Sequence, residues 1–152
     1  MPKASVKRLI ECKKKDLINL VLDIESYPEF IPFCYDAKIY KTKDEGDVKN
    51  IIADLTIGKG PFKDTYKSDV TFNKKKDSIY VKNIEGPLNH LSNNWSFSDK
   101  QNGITEVIFD IDFEIKNKFL NSLMVVSFQF GLEKIADSFQ KRAKELFGNS
   151  KN

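Results

Sequence analysis

The chain has 152 residues, of which 25 are basic and 22 acidic, so its formal net charge is +3. This length suits one domain spanning residues 1–152, with a core that needs neither disulfide nor metal, and so mild a charge does not single out a nucleic-acid partner. Cys12 and Cys34 lie far apart in the chain with no clustered histidine, which favours free thiols in a reducing compartment over a disulfide framework or a zinc site.

The first residues, MPKASVKR, lack the apolar segment of a secretory signal. The longest apolar run is also shorter than the ~20 residues that span a bilayer. We therefore expect a cytoplasmic protein whose contact with lipid is peripheral, at the inner face of the membrane.

The N-terminal part is predicted to form a strand followed by two short helices. The strand covers Ala4 to Glu11, and the segment KKKDLINLVLDI then places four apolar residues on one helical face: Leu17, Leu20, Val21 and Ile24. Pro28 is predicted to stop this helix. The following ESYPEFIPFC is predicted to be a short apolar helix or turn that folds back onto the body of the protein.

From residue 36 to residue 116 the apolar period changes to two, which indicates half-buried strands. In EVIFDIDFEI, for example, Val107, Phe109 and Ile111 alternate with mostly acidic neighbours. The turn-forming segments KDEGD, GKGP, NKKKD, EGP and DKQNG divide the region into about six strands with short connections. Short connections predict an antiparallel sheet with one polar and one apolar face.

The C-terminal segment carries the only long helical pattern, and Gly148 is its predicted stop. Its apolar residues recur every three or four positions: Leu120, Met124, Phe128, Leu132, Ile135, Phe139, Ala143 and Leu146. A helix with such a stripe covers the apolar face of the sheet, so the predicted fold class is α+β.

The first half of this helix, KFLNSLMVVSFQFGL, is apolar on more than one face. The surplus face fits additional core against ESYPEFIPF, a ligand cavity, or a partner surface, and the residues alone leave these alternatives open. Ser127 and Gly131 interrupt the sheet-facing stripe, which either leaves space beneath the helix or allows close backbone approach.

The polar residues do not form a recognisable catalytic set. His90 is the only histidine and is expected to be structural or solvent-facing. Asp110, Asp112 and Glu114 share one face of a strand, and alternation explains them as the polar face of the sheet rather than a metal or acid–base cluster. We predict no catalytic residue, no metal site and no enzyme, and a cyclase or hydrolase is disfavoured.

Four segments together resemble the coenzyme Q-binding START-domain family, which includes the bacterial ribosome-association toxins and lies within the helix-grip, polyketide-cyclase-like superfamily. They are DIESYPEFIPFC, GPLNHLSNNWSF, TEVIFDIDFEIKNKFLNSL and SFQKRAKELFG, in this order along nearly the whole chain. The resemblance implies a curved antiparallel sheet of about seven strands wrapped around a long C-terminal helix, with two short helices after the first strand. It also implies a cavity between sheet and helix that admits a lipid or an isoprenoid quinone.

The resemblance favours the ligand cavity for the surplus helix face. Its predicted lining combines inward strand residues with helix residues: Leu55, Ile57, Tyr66, Val70, Trp95, Phe97, Phe109, Ile111, Phe113, Leu123, Met124 and Phe128. The first functional hypothesis is a non-enzymatic carrier or chaperone of ubiquinone or a related polyprenyl quinone that supports respiratory electron transport, with no other cofactor.

The alternative hypothesis, from the same resemblance, is a protein that binds a ribosomal subunit and blocks subunit joining. Basic residues would dock it on RNA or on anionic lipid if they share one side of the molecule. The candidates are Lys13, Lys14, Lys15, Lys74, Lys75, Lys76, Lys141, Arg142 and Lys144.

Overall fold

The computed structural model describes residues 3–59, 62–85, 88–115 and 118–148, and at 59, 62, 88–90, 115 and 118–130 it describes the backbone alone. Its elements follow the predicted order: β1 (Lys3–Ile10), α1 (Lys14–Leu22), a 3-10 helix (Ile24–Glu29), β2 (Cys34–Glu45), β3 (Val48–Lys59), β4 (Phe62–Asn73), β5 (Ser78–Glu85), β6 (Leu88–Asp99), a 3-10 turn (Gln101–Gly103), β7 (Thr105–Ile115) and α2 (Lys118–Phe147). The predicted α+β class is confirmed.

The seven strands form one antiparallel sheet in the order β1-β7-β6-β5-β4-β3-β2. Successive strands from β2 to β7 are neighbours, as the short turn segments predict, and β1 adds to the far edge beside β7. Asn102 and Gly103 have φ angles of 61° and 73° in the turn between β6 and β7, which suits the asparagine–glycine pair found there.

Interruptions in strand register bend the sheet around α2. The register shifts between Ile39 and Lys41 on β2, between Lys67 and Ser68 on β4, and between Leu88 and His90 on β6. Such bulges bend a strand and increase its twist. The predicted curved sheet around the C-terminal helix is therefore confirmed.

Alternation along β7 assigns the two faces of the sheet as predicted. Val107, Phe109 and Phe113 are buried on the inner face, which faces α2, whereas Asp110 is exposed on the outer face. The outer carboxylate accepts a 2.5 Å hydrogen bond from the Ser5 hydroxyl of the neighbouring β1. The polar-face interpretation of the acidic residues is confirmed at this position.

The second half of α2 packs into the core along one stripe. Leu132, Phe139 and Ala143 are buried, but Leu146 is 51% exposed, so the prediction for Leu146 was wrong. The stripe continues at intervals of four through Ala143 to Phe147, which packs against the core. Leu146 lies one residue, or about 100°, away from that line.

The helix α1 ends earlier than predicted. Its last residue is Leu22, and Pro28 lies inside the following 3-10 helix rather than at the end of α1. The Asp23 amide bonds to the Leu20 carbonyl, three residues back, and this tight turn closes α1 before the proline. In the described part of the chain, no helix has the length and apolarity needed to cross a membrane.

Candidate functional site

The inner face of the sheet has two regions that differ in packing. The closed half lies towards the turn between β6 and β7, and each of its apolar residues is at most 7% exposed: Val6, Ile10, Ile79, Trp95, Phe97, Val107, Phe109 and, from α2, Phe139. The open half lies towards the end of the sheet where β7 leads into α2. It contains Leu55, Tyr66, Ser68, Val70, Val81, Asn93, Ile111 and Phe113.

Stacked aromatic rings fill the closed half. The Trp95 and Phe109 ring centroids are 4.0 Å apart, and the Phe139 ring meets Trp95 edge-on at 5.1 Å. Phe97 lies parallel to Trp95 at 6.4 Å. The closed half is therefore filled by side chains of the protein itself.

The proline-containing loop packs on the same part of α2. The Tyr27 and Phe30 rings meet Phe139 edge-on at 5.5 Å and 5.3 Å, and the Tyr27 hydroxyl donates to the Val21 carbonyl. Burial raises the pKa of that phenol well above its usual range. The segment ESYPEFIPF thus folds back onto the body, as its apolar composition predicts.

The open half is less completely covered. Leu55, Tyr66, Val81 and Ile111 face inward yet are only half-buried, and Ile57, at the rim, is 37% exposed. Val70 and Phe113 are buried deeper on the same face. Because α2 begins at Lys118, directly after β7, its first turns start at this end of the sheet. The open half therefore offers inward apolar surface beside the apolar stretch of α2.

The predicted cavity residues divide between the two halves. Trp95, Phe97 and Phe109 belong to the closed half, where they pack on one another. The remaining strand residues of that prediction belong to the open half or its rim: Leu55, Ile57, Tyr66, Val70, Ile111 and Phe113. Leu123, Met124 and Phe128 lie among residues whose side chains are outside those described, as do Ser127 and His90.

The open half carries a polar side chain that the sequence-based prediction missed, Asn93, in addition to the predicted Tyr66. Asn93 on β6 shares the inward orientation of Trp95 and Phe97, and its Oδ1 atom is enclosed without a hydrogen-bond partner among the described residues. Burial, and after it the nearby Asp64 charge, raise the pKa of the Tyr66 phenol, which is protonated at neutral pH even without this shift. Strand alternation with Trp95 was the signal that would have identified Asn93 as inward-facing.

Both cysteines are buried free thiols. Burial is the main cause that raises the pKa of each to about 11. The thiolate is the reactive form, so both side chains are poor nucleophiles at neutral pH. The structure agrees with the prediction of free thiols.

The basic clusters near the closed half are interleaved with carboxylates. Lys14 Nζ lies 2.8 Å from Asp77 and 3.1 Å from Asp99. Lys74 Nζ lies 2.7 Å from Asp44, and Lys75 Nζ 3.2 Å from Asp47. Their positive charge is therefore partly neutralised within the protein.

The C-terminal cluster retains more exposed charge. Lys141 and Lys144 are exposed, while the Arg142 guanidinium lies 3.2 Å from Glu29 and 5.3 Å from the Phe30 ring centroid. Lys13, just before α1, and Lys15, in its first turn, are exposed as well. The charge of each of these four lysines is therefore accessible to solvent.

Two depressions lie outside the inner face. One of about 450 Å³ separates Pro28, Ile31 and Pro32 from Lys134 and Asp137 of α2. The other, of about 640 Å³, lies on the outer face and is lined in part by Ser5, Tyr80, Asn94 and Asp110. Both carry charged side chains and so suit an apolar tail less well than the inner face does. Among the described residues, no group of three or more carboxylates, thiols or imidazoles has a metal-binding arrangement.

Residues 13–140 match the family described as polyketide cyclase/dehydrase and lipid transport. A ribosome association toxin, RatA, of Rickettsia prowazekii is 32% identical over 142 residues, which cover 91% of this chain and 94% of that protein. The mitochondrial coenzyme Q-binding protein COQ10 of Dictyostelium discoideum is 34% identical over 134 residues, 87% of this chain but only 64% of that longer protein.

Solved structures share the fold over nearly the whole chain. An 18 kDa protein of Caulobacter crescentus superposes with a TM-score of 0.81 at 26% identity and covers 97% of this chain and 99% of its own. A START superfamily protein of Mycobacterium smegmatis gives a TM-score of 0.83 at 16% identity, with 96% and 99% covered. An aromatase/cyclase of Streptomyces gives 0.80 at 11% identity, with 93% of each chain covered.

Proposed function

Because the chain belongs to the polyketide cyclase, dehydrase and lipid transport family, we propose that it binds an isoprenoid quinone or a similar lipid between the open half and α2. The observation that carries this proposal is the incomplete burial of Leu55, Tyr66, Val81 and Ile111, which face inward from the middle of a sheet. Similarity to a coenzyme Q-binding protein supports a quinone as the ligand.

The proposed pocket has sides that end in a rim, a floor, a roof and an end wall. Leu55, Ile57, Tyr66 and Ile111 line its sides and rim, with Val70 and Phe113 beneath them. Leu123, Met124 and Phe128 are the proposed roof, since they belong to the apolar first half of α2. The aromatic rings of the closed half, Trp95, Phe97 and Phe109, form the wall that limits how far a ligand enters.

The energetics favour a protein that exchanges its ligand with a membrane. Moving a tail out of water is worth about 0.8 kcal/mol per CH₂. A quinone begins in a bilayer, however, which is as apolar as the pocket, so most of that gain cancels. Selectivity then depends on pocket shape and on a few polar contacts to the ring. These features suit a carrier or chaperone that serves respiratory electron transport.

We propose binding without catalysis. The polar side chains described on the open half include the amides of Asn83 and Asn93 and the hydroxyls of Ser68 and Tyr66. Amides and hydroxyls form hydrogen bonds with a head group, but they do not take up a proton at neutral pH as a general base must.

The open end of the sheet is the proposed point of contact with the membrane. Phe33, just before β2, and Tyr35, the second residue of β2, are 44% and 48% exposed, and Ile57 lies beside them on β3. The Lys63 ammonium lies 3.8 Å from the Tyr35 ring centroid. Apolar, aromatic and cationic side chains together suit the interface of an anionic bilayer.

Mass spectrometry of the purified protein tests the proposal. The protein is purified from a quinone-producing host, extracted with organic solvent and analysed for bound lipid, and added ubiquinone is titrated into the ligand-free form. We expect a polyprenyl quinone in the extract and saturable binding on addition. Absence of any lipid from the extract together with no binding of added quinone would refute the proposal.

A second candidate function is association with a ribosomal subunit that blocks subunit joining. The alignment with a ribosome association toxin spans 94% of that protein, a larger share than for the quinone-binding relative. The exposed Lys13, Lys15, Lys141 and Lys144 offer cationic contacts for RNA phosphates.

Sucrose-gradient sedimentation separates the two candidates. Overproduced protein is expected to sediment with one subunit in a salt-sensitive manner if the second candidate is correct, and Lys141→Glu with Lys144→Glu should release it. Lys74→Glu serves as the matched control, because Lys74 is already paired with Asp44. Subunit profiles that stay the same on overproduction argue against ribosome association.

A further inference from the structure

Asn93 is a polar residue at an apolar position. Its cross-strand partners are Val81 on β5 and Ile111 on β7, and Trp95 follows it two residues along the inner side of β6. The Oδ1 atom is enclosed and has no hydrogen-bond partner within the described part of the chain. Asn94, the next residue, faces outward, and its Nδ2 atom donates to Ser96 Oγ at 3.1 Å.

An enclosed amide oxygen without a donor destabilises the folded protein. It loses its hydrogen bonds to water on folding and gains none in return. Leucine has nearly the same shape as asparagine and would bury apolar surface between Val81 and Ile111 at this position. An unfavourable residue of this kind on the inner face of a sheet is expected where binding requires it.

The position of Asn93 indicates which part of a ligand reaches it. Trp95 lies about 7 Å further along the strand and belongs to the filled closed half, so a ligand entering from the open end stops beside Asn93. The portion that enters first therefore contacts the amide, and the trailing portion passes Leu55 and the rim at Ile57. For a lipid delivered from a membrane at the open end, the head enters first and the tail follows.

We infer that Asn93 Oδ1 accepts a hydrogen bond from a hydroxyl on the ring head of the bound lipid, and that the reduced hydroquinone is therefore preferred over the oxidised quinone. A hydroquinone presents hydroxyl donors, whereas a quinone carbonyl only accepts. This inference rests on the proposed function, since it assigns the head-group contact of the same pocket.

The experiment compares Asn93→Leu with Asn94→Leu as the matched control. Decyl-substituted benzoquinone and its hydroquinone are titrated anaerobically against each ligand-free protein. We expect the wild type to bind the hydroquinone about tenfold more tightly than the quinone, and Asn93→Leu to bind both forms equally. Asn94→Leu should retain the wild-type preference. The O-methylated hydroquinone, which has no donor, should bind the wild type about tenfold more weakly than the hydroquinone itself.

The outcomes distinguish this inference from the proposed function. If the wild type binds neither form, the quinone proposal fails. If the wild type binds quinone and hydroquinone equally, or Asn93→Leu keeps the wild-type preference, the role of Asn93 is overturned while quinone binding stands. The methylated ligand tests the same hydrogen bond without any substitution. Asn93→Leu should also unfold at higher urea than the wild type, and a midpoint below that of Asn94→Leu would contradict an unpartnered amide.

Discussion

The closed and open halves of the inner face are built from the same strands but differ in what they contact. On β6, Trp95 stacks on Phe109 at 4.0 Å, while Asn93, two residues away, holds an enclosed oxygen without a partner among the described residues. On β7, Phe109 is buried but Ile111 is only half-buried. One strand thus contributes to stability at one end and to the proposed pocket at the other, so substitutions in the two halves should affect different measurements.

Trp95→Ala should produce the largest effect, because it removes the ring that contacts Phe97, Phe109 and Phe139. Truncating a buried aromatic costs about 3–5 kcal/mol of unfolding free energy. Urea denaturation followed by circular dichroism measures the change. A loss below about 1 kcal/mol would mean that the closed half is not the stabilising core, since that is the scale of an ordinary single substitution.

Thr105→Val tests the polar contact at the edge of the closed half. The Thr105 side chain is 1% exposed, and its hydroxyl donates to the Cys12 carbonyl at 2.7 Å. Its loss should cost about 1–3 kcal/mol, because the carbonyl remains enclosed without this donor. Thr56→Val is the control, since its hydroxyl bonds to Thr65 on the solvent side of the sheet. Equal changes in the urea midpoint for the two variants would contradict the expected difference.

Leu55→Ala should affect ligand binding more than stability, the opposite of what is expected for Trp95→Ala. The side chain is half-buried on the open half, so its truncation should cost about 1 kcal/mol of stability, less than a core leucine. It should nevertheless weaken quinone binding about tenfold through lost contact with the tail. Titration calorimetry and urea denaturation on the same preparation provide both values. Unchanged affinity would exclude Leu55 from the pocket lining.

Cys12 lies near the closed half and Cys34 near the open end, so the two thiols can be used to compare the two regions. Burial raises the pKa of both Cys12 and Cys34 from 9.0 to about 11, so between about pH 9 and pH 11 the folded protein holds protons that the unfolded chain releases. Stability is therefore expected to fall as the pH rises through that interval, and Cys12→Ala with Cys34→Ala should flatten the decline.

Thiol labelling at pH 8 should also be slow, and Cys34, near the open end, should react before Cys12, near the closed half. Labelling in urea, where both react rapidly, is the control. Faster reaction at Cys12 would reverse the assignment of the more stable half.

Phe33→Asn should have the smallest effect on stability and still weaken membrane binding. Phe33 has a φ angle of 66°, in the left-handed region that asparagine tolerates better than phenylalanine. Its backbone carbonyl accepts from the Gly58 amide at 3.0 Å, and the substitution leaves that bond in place. Flotation with anionic vesicles should show reduced binding at an unchanged urea midpoint. Lys75→Ala is a control that should change neither.

Much of this fold follows from local patterns. The two-residue alternation in EVIFDIDFEI predicts which β7 residues face inward, and the Asn102–Gly103 turn is predicted by the preference of that pair for positive φ angles. The stripe on α2 is predicted correctly at Phe139 and Ala143 but wrongly at Leu146, because a small drift in helical phase decides which residue of the last turn is buried.

The sequence by itself determined the element order, the inner and outer faces of the sheet, the long C-terminal helix α2 and the family resemblance. Each of these depends on neighbours a few residues apart. Only the tertiary structure decided that Trp95 and Phe109 fill one half of the inner face, that Asn93 holds an oxygen without a described partner, and that Lys74 is paired with Asp44. These facts depend on strand register and on contacts between residues far apart in the chain. The alternation of apolar and polar residues predicts which way a side chain faces, but strand register and packing decide which residues it contacts.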